Sequence, residues 1–175
     1  MAAHYRTEGF VLSRRDSGEA NCTCAVFTKD FGKLYLYAIG ERKALSKLRQ
    51  GLATLSLSEV QFVQGKTRTT LVDAVPRELH QVIRSNLLRT REAFRVAHAV
   101  DMLLKGQERD EQIWKLLSAA FRSLNDASIP ASRAPLVYLQ FFWQFVSLLG
   151  YRPPVLAQDR ETADSYLARL AGLRL

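Results

Sequence analysis

The sequence predicts a two-domain α+β protein, a small five-stranded barrel followed by an all-helical part. From Tyr5 to Ala74, short runs alternate apolar and polar residues, the period of half-buried strands, and Gly, Asp and Lys turns separate them. Beyond Pro76 the apolar period lengthens to that of helices and stays there. At 175 residues and 47% hydrophobic content the chain has the length and composition of two small globular domains, predicted as 1–76 and 77–175.

The first strand, Tyr5 to Arg14, centres on Phe10-Val11-Leu12 and runs into the turn residues Asp16-Ser17-Gly18. The second, Asn21 to Thr28, alternates Cys22, Cys24 and Val26 with Thr23, Ala25 and Phe27. Lys29-Asp30-Phe31-Gly32 makes a hairpin in which Gly32 is free to take a positive φ. The third strand, Lys33 to Ile39, sets Leu34, Leu36 and Ala38 on one face and Lys33, Tyr35, Tyr37 and Ile39 on the other. Gly40 releases the chain into a basic loop, Glu41 to Gln50. The fourth strand, Leu52 to Gln64, is long enough to need a coil or bulge. Gln64-Gly65-Lys66 turns into the fifth, Thr67 to Ala74, rich in β-branched residues. Five strands with the longer excursion after the third fit an OB-fold barrel, with Arg42 to Gln50 supplying a short turn of helix.

In the second half Leu79, Val82, Ile83, Leu87, Phe94, Ala97, Val100, Leu103 and Leu104 mark one or two helices that end near Gly106. Asp110 is placed to N-cap the next, which carries Ile113, Trp114, Leu117, Phe121 and Leu124. Ser132 to Leu149 is the most apolar helix, stopped by Gly150-Tyr151-Arg152-Pro153-Pro154. Its apolar stretch is shorter than the ~20 residues of a membrane span and holds Gln140 and Gln144, so a buried core helix is expected and no membrane partner. Glu161 to Leu173 is a last amphipathic segment.

Lys and Arg total 25 against 17 for Asp and Glu, a net +8 and a pI near 9.8. Such a balance is a footprint of polyanion binding, though many soluble proteins share it without that role. Cys22 and Cys24 are the two cysteines, which argues for a reducing compartment and against a disulfide framework. A structural zinc needs four ligands; alternation instead puts both thiols on the core face of one strand. Met1 to Phe10 lacks the apolar run of a signal peptide. No G-x-S-x-G, P-loop or G-x-G-x-x-G occurs, His4, His80 and His98 are scattered, and no carboxylates are paired for acid–base work. A non-enzyme without cofactor or metal is expected.

Arg42, Lys43, Lys47 and Arg49 form the densest basic run. Lys66 and Arg68 at the strand 4–5 hairpin and Arg14 and Arg15 near the strand 1–2 loop are placed to join it, because these loops border the nucleic-acid groove of an OB barrel. The competing reading is a solvated loop. Tyr35 and Tyr37 are stacking platforms for bases if their face is open, and packing residues if the helices cover it. Arg77, Arg84, Arg91 and Arg95, spaced by seven, seven and four, make one basic stripe if their helix is continuous. Arg122, Arg133, Phe142 and Trp143 are candidates for a partner-peptide surface. Phe141, Phe142, Trp143 and Phe145 are nonetheless too many for one helix face, so most belong to the core.

Several of these stretches carry a resemblance. Glu8-Gly9-Phe10-Val11-Leu12, Arg15-Asp16-Ser17-Gly18-Glu19, Phe27-Thr28-Lys29-Asp30-Phe31-Gly32-Lys33-Leu34, Ala38-Ile39-Gly40-Glu41-Arg42-Lys43 and Ser46-Lys47-Leu48-Arg49-Gln50-Gly51-Leu52 follow the order and spacing of the bacterial recombination mediator family RecO. A weaker match covers Leu148-Leu149-Gly150-Tyr151-Arg152-Pro153. The resemblance implies an OB domain, a helical domain and a non-enzymatic role in DNA repair and recombination. That role comprises binding single- and double-stranded DNA, annealing complementary strands, and helping RecA load on strands covered by SSB. Implied partners are RecR and the C-terminal tail of SSB, in the cytoplasm at the nucleoid. The family's basic loop carries over onto Arg42, Lys43, Lys47 and Arg49. Ile39 stands where the family usually has a basic residue and Thr54 where it often has proline. The four-cysteine zinc module that many members carry after the Gly-Tyr-x-Pro stretch has no counterpart, so no metal is implied. The alternative from another class is an adaptor that binds acidic peptide tails through its helices, without nucleic-acid activity.

Overall fold

The computed structural model describes residues 3–17, 19–40, 48–153 and 159–172, without the Arg49 side chain. Five strands close into a barrel: β1 (His4–Ser17), β2 (Asn21–Thr28), β3 (Gly32–Ala38), β4 (Leu57–Gln64) and β5 (Thr69–Glu78), with the short helix α1 (Leu48–Gly51) between β3 and β4. Around the barrel they run β1-β2-β3-β5-β4, and β4 pairs back to β1. The β3–β5 pair is parallel and the others antiparallel, which is the OB-fold order. Every second residue points inward. Cys22, Cys24 and Val26 of β2 and Leu34, Leu36 and Ala38 of β3 meet Val11, Val60, Phe62, Leu71 and Ala74 in one core. The two thiols are fully buried, with their Sγ atoms 3.7 Å apart. Tyr5, Phe31 and Phe62 add an aromatic cluster with ring centroids 5.4 to 5.5 Å apart.

β1 runs on to Ser17 rather than Arg14 and β5 begins at Thr69 rather than Thr67, and two strand limits depart further from those predicted. β4 begins at Leu57 rather than Leu52, because Leu48 and Leu52 must reach the barrel core. An extended strand would carry alternate residues away from it; a helical turn folds both back. Gly51 allows the turn to sit on β5, since a Cβ there would lie 2.2 Å from the Ala74 carbonyl oxygen. The chain then reverses at Leu55, whose φ is 69° and whose N–H donates to the Val11 carbonyl at 2.8 Å. β5 runs to Glu78, past Pro76. A residue with no N–H is tolerated there because β5 is laddered by β4 alone beyond Thr70.

The chain forms two compact units, Met1–Leu79 with Leu104–Asp110, and His80–Leu103 with Glu111–Leu175. In the first unit the returning segment lays the Glu108 backbone against Gly32, whose φ is 65° and whose Cβ, if present, would sit 2.3 Å from the Glu108 carbonyl oxygen.

The second unit contains α2 (Gln81–Arg84), α3 (Leu87–Leu103), α4 (Glu111–Asn125), α5 (Ala134–Leu148) and α6 (Arg160–Gly172), with a 3-10 turn, Ala131–Arg133, leading into α5. α5 packs against α3, α4 and α6. Tyr138, Phe141, Phe142 and Phe145 of α5, Ala93, Val96, Ala97 and Val100 of α3, and Leu117, Phe121 and Leu124 of α4 are all buried. α2 and α3 are separate helices because Asn86 caps the second of them, its Oδ1 accepting from the Leu88 and Arg89 N–H groups. Leu87 and Phe94, which helped to mark the helical period, are 86% and 47% exposed. The buried stripe of α3 takes in Arg89 and Glu92 instead. Among the described residues no helix is long and apolar enough to cross a membrane.

Arg89 holds this unit together at one end. Its guanidinium donates to the carbonyls of Leu124 (2.7 Å), Asp126 (3.0 Å) and Ile129, tying down the end of α4 and the loop beyond it. Asn125 Oδ1 meanwhile accepts from the Val82 and Ile83 N–H groups at 3.1 and 3.3 Å, capping α2. Arg89→Leu strips three carbonyls of a charged donor at once. Urea unfolding followed by helical circular dichroism is expected to show a loss of about 3 kcal/mol. Arg89→Lys recovers only part, because one ammonium does not span three carbonyls as the planar fork does.

Candidate nucleic-acid interface

Register decides which side chains meet on the barrel's outer surface. Arg15 pairs with Thr23, Thr23 with Tyr37, and Tyr37 with Thr70. Cross-strand partners share a face, so these four form one row across β1, β2, β3 and β5. Tyr35 occupies the next row of that face and is 56% exposed. The Arg68 guanidinium carbon lies over the Tyr37 ring, 4.3 Å from its centroid. Lys33 is buried on the outward face, with Nζ 5.2 Å from the Tyr35 centroid. Arg15, Lys66 and Arg68 are exposed, and among the described residues no carboxylate pairs with them. Arg14 pairs with Cys24 and so takes the opposite face of the ribbon, where it is half-buried. Of the predicted DNA-binding set, Arg15, Tyr35 and Tyr37 thus share one face with Arg68 over Tyr37, Lys66 lies exposed in the turn two residues before Arg68, and Arg14 takes the other face.

Arg42, Lys43, Lys47 and the Arg49 side chain lie outside the described residues. The residues that flank this stretch are held on both sides. Gly40 N–H donates to Asn21 Oδ1 at 2.9 Å, and Leu48 packs on the barrel core. Asn21 also donates from Nδ2 to the Tyr37 hydroxyl at 2.9 Å. Sequence reading passed over Asn21, an unremarkable residue at a strand start whose two partners are fixed only by the fold. Ile39, the departure from the family pattern, sits exposed beside the two tyrosines' face.

The second basic group does not form a stripe on one helix. Arg77 lies on β5, where it and Arg6 both pair with Glu59, Arg77 at 2.6 Å. Arg84 ends α2, while Arg91 and Arg95 lie on α3. The premise of a continuous helix fails because β5 runs on through Arg77 and the chain breaks again before α3. Arg91 and Arg95 are engaged by carboxylates. Glu92, with no exposed side-chain surface, meets Arg91 at 3.2 Å, Arg160 at 3.1 Å and Arg95 at 3.7 Å, and Arg95 reaches Asp164 at 2.8 Å. Burial and Asp164 beside it push the Tyr138 hydroxyl well above the usual tyrosine range, so it stays protonated and donates to Asp164 at 3.3 Å.

The third group also separates. Phe142 is fully buried, which corrects its place on a partner surface: α5 is apolar nearly all round, and this position faces the core. Arg122 and Arg133 are exposed but do not line a groove with Trp143. Trp143 instead lines an apolar groove of about 670 Å³ between α4 and α5, with Gln112, Lys115, Leu116, Gln144, Ser147, Leu148 and Pro153. Its Nε1 is buried there without a hydrogen-bond partner among the described residues. The described residues hold no cluster of three or more His, Cys, Asp or Glu able to take a metal.

Residues 1–79 match the family model described as recombination protein O N terminal. The DNA repair protein RecO of Heliobacterium modesticaldum is 34% identical over 179 aligned residues, covering 97% of this chain and 63% of that protein. That of Thermoanaerobacter sp. is 24% identical over 149 residues, covering 85% and 58%. That of Desulfitobacterium hafniense is 28% identical over 150 residues, covering 85% and 53%. The chain therefore spans between 53% and 63% of the length of these three relatives.

The Arg77 guanidinium, and after it that of Arg6, hydrogen-bonds Glu59 and holds its carboxyl below the ordinary 4.5. A depressed folded value adds stability above the unfolded value and loses it as pH falls through the folded one. The unfolding free-energy difference between wild type and Glu59→Gln is therefore expected to be constant above about pH 5.5 and to shrink steadily below about pH 4.5.

Proposed function

Because the chain is a RecO relative whose first 79 residues match the family's N-terminal domain, we propose that it is a DNA-binding mediator of recombinational repair. The observation that carries the reading is the row Arg15–Thr23–Tyr37 with Arg68 seated on it and Tyr35 and Lys66 beside it, cationic, aromatic and free of pairing carboxylates among the described residues. Phosphates meet the cations and release counterions; bases meet π-faces that do not discriminate sequence. Two strands held this way lose much of their mutual repulsion, and annealing then needs no bond chemistry. Single- and double-stranded DNA are both ligands in this reading, because phosphate contact is common to them. In this reading the basic run Arg42, Lys43, Lys47 and Arg49 contributes further phosphate contacts. Assisting RecA on SSB-covered strands, with RecR, is the role this activity serves, and the protein is then no enzyme.

The adaptor reading draws on a different observation, the groove at Trp143, Leu116 and Leu148 with Lys115 at its wall. An apolar slot beside a cation suits an acidic peptide that ends in an aromatic residue, such as the C-terminal tail of SSB. The two readings are compatible, since they use different units of the chain.

Anisotropy of a labelled oligothymidine across salt concentrations tests the first. About four phosphate contacts give a log–log slope near −3, and a flat line rejects DNA binding. Changing Arg42, Lys43, Lys47 and Arg49 together to Ala is expected to slow strand annealing at least tenfold at moderate salt. For the groove, Trp143→Ala and Lys115→Glu are each expected to weaken an acidic, aromatic-ended peptide about tenfold while leaving oligothymidine affinity unchanged. A peptide that does not bind wild type at high micromolar rejects the adaptor reading.

A further inference from the structure

We propose that Arg68, not Tyr37, is the plane on which a base of the bound strand stacks, with Tyr37 and Asn21 as positioning residues that act through it. This rests on the DNA-binding reading above. Tyr37 is half-buried, and the Arg68 guanidinium lies over its ring at 4.3 Å. A base can touch that ring only by evicting the cation. It meets instead the guanidinium of an exposed residue that no carboxylate pairs with among the described residues. A guanidinium is planar, delocalised and weakly hydrated, so it can stack on the tyrosine with one face and on a base with the other.

The Tyr37 ring and the backbone that carries Arg68 are held in advance. The Tyr37 hydroxyl accepts from Asn21 Nδ2 at 2.9 Å, and the other end of the same amide accepts from Gly40 N–H at 2.9 Å. The Arg68 carbonyl accepts from Gly65 N–H at 3.0 Å, which closes the hairpin just before Thr69 and Thr70 pair with β3. Tyr35 is different: it is the more exposed ring, and the cation over it among the described residues is the Lys33 ammonium, a point charge that does not cap a π-face as a plane does. It is a direct platform. Tyr35 and Tyr37 stand two residues apart on β3, about 6.6 Å, and Arg68 reaches over the second of them from the β4–β5 hairpin.

Arg68→Lys separates stacking from charge, because it keeps the cation and removes the plane. We would measure affinity for oligothymidine and for an abasic oligonucleotide of equal length, at several salt concentrations. Arg68→Lys is expected to weaken oligothymidine about tenfold and leave the abasic strand and both salt slopes unchanged. Tyr37→Leu should show the same pattern, and Asn21→Ala the same pattern at about threefold. Tyr35→Leu should add to Arg68→Lys rather than be masked by it. Equal affinity of Arg68→Lys and wild type for oligothymidine overturns the proposal, as does an equal loss on both strands. Arg68 is an exposed hairpin residue, so the lysine variant tests the idea even where Tyr37→Leu fails to fold. A wild type that binds neither strand defeats the DNA-binding reading itself, a different and separately visible failure.

Discussion

Two residue pairs close the barrel. Leu36 with Thr69 and Tyr37 with Thr70 are the whole of the parallel ladder between β3 and β5, and they set where the start of β5 meets β3. Because side chains alternate, a slip of one residue would turn Tyr37 inward and Leu36 outward. Such a slip would cost the burial of Leu34, Leu36 and Ala38 together, so the core enforces the register that the surface uses. Past Thr70, β5 leaves β3, and α1 packs against β5, with Gly51 lying on Ala74.

What the sequence made legible follows from this division between local and distant causes. The inward sets of β2 and β3 depend on alternation within a few residues, and Cys22, Cys24, Leu34 and Leu36 were readable from that alone. The start of β4 depends on Leu52 finding a core built by other strands, and the end of β5 on Pro76 lying where one edge is unladdered; neither cause is local. Arg77 read as helical because a proline seemed to end the sheet. Phe142 and Trp143 are neighbours on a helix apolar on nearly every side, so periodicity could not assign one to the core and the other to a groove. Arg68 and Tyr37 were each singled out, but their contact exists only through strand order.

The net charge of +8 is engaged unevenly. In the helical unit Glu92 and Asp164 gather Arg91, Arg95 and Arg160 into an ionic cluster that joins α3 and α6, and on the barrel Glu59 gathers Arg6 and Arg77. Removing a buried partner from such a cluster leaves an uncompensated charge, so these arginines are bound to structural work. Arg15, Lys66 and Arg68 have no such obligation among the described residues. A basic composition therefore says how many cations exist, and the placement of a few carboxylates says which of them can meet a phosphate.

The segment Leu104–Asp110 leaves the helices, lies against Gly32, and goes back. The family match stops at residue 79, but the compact body that contains those residues does not. The polypeptide crosses between its two bodies three times, so neither is a cassette that one cut can lift out. A fragment ending after β5 would leave the β2–β3 turn bare where Glu108 now covers it. Shuffling this barrel between proteins, by recombination of genes or by design, would have to carry a short piece of the helical half along with it.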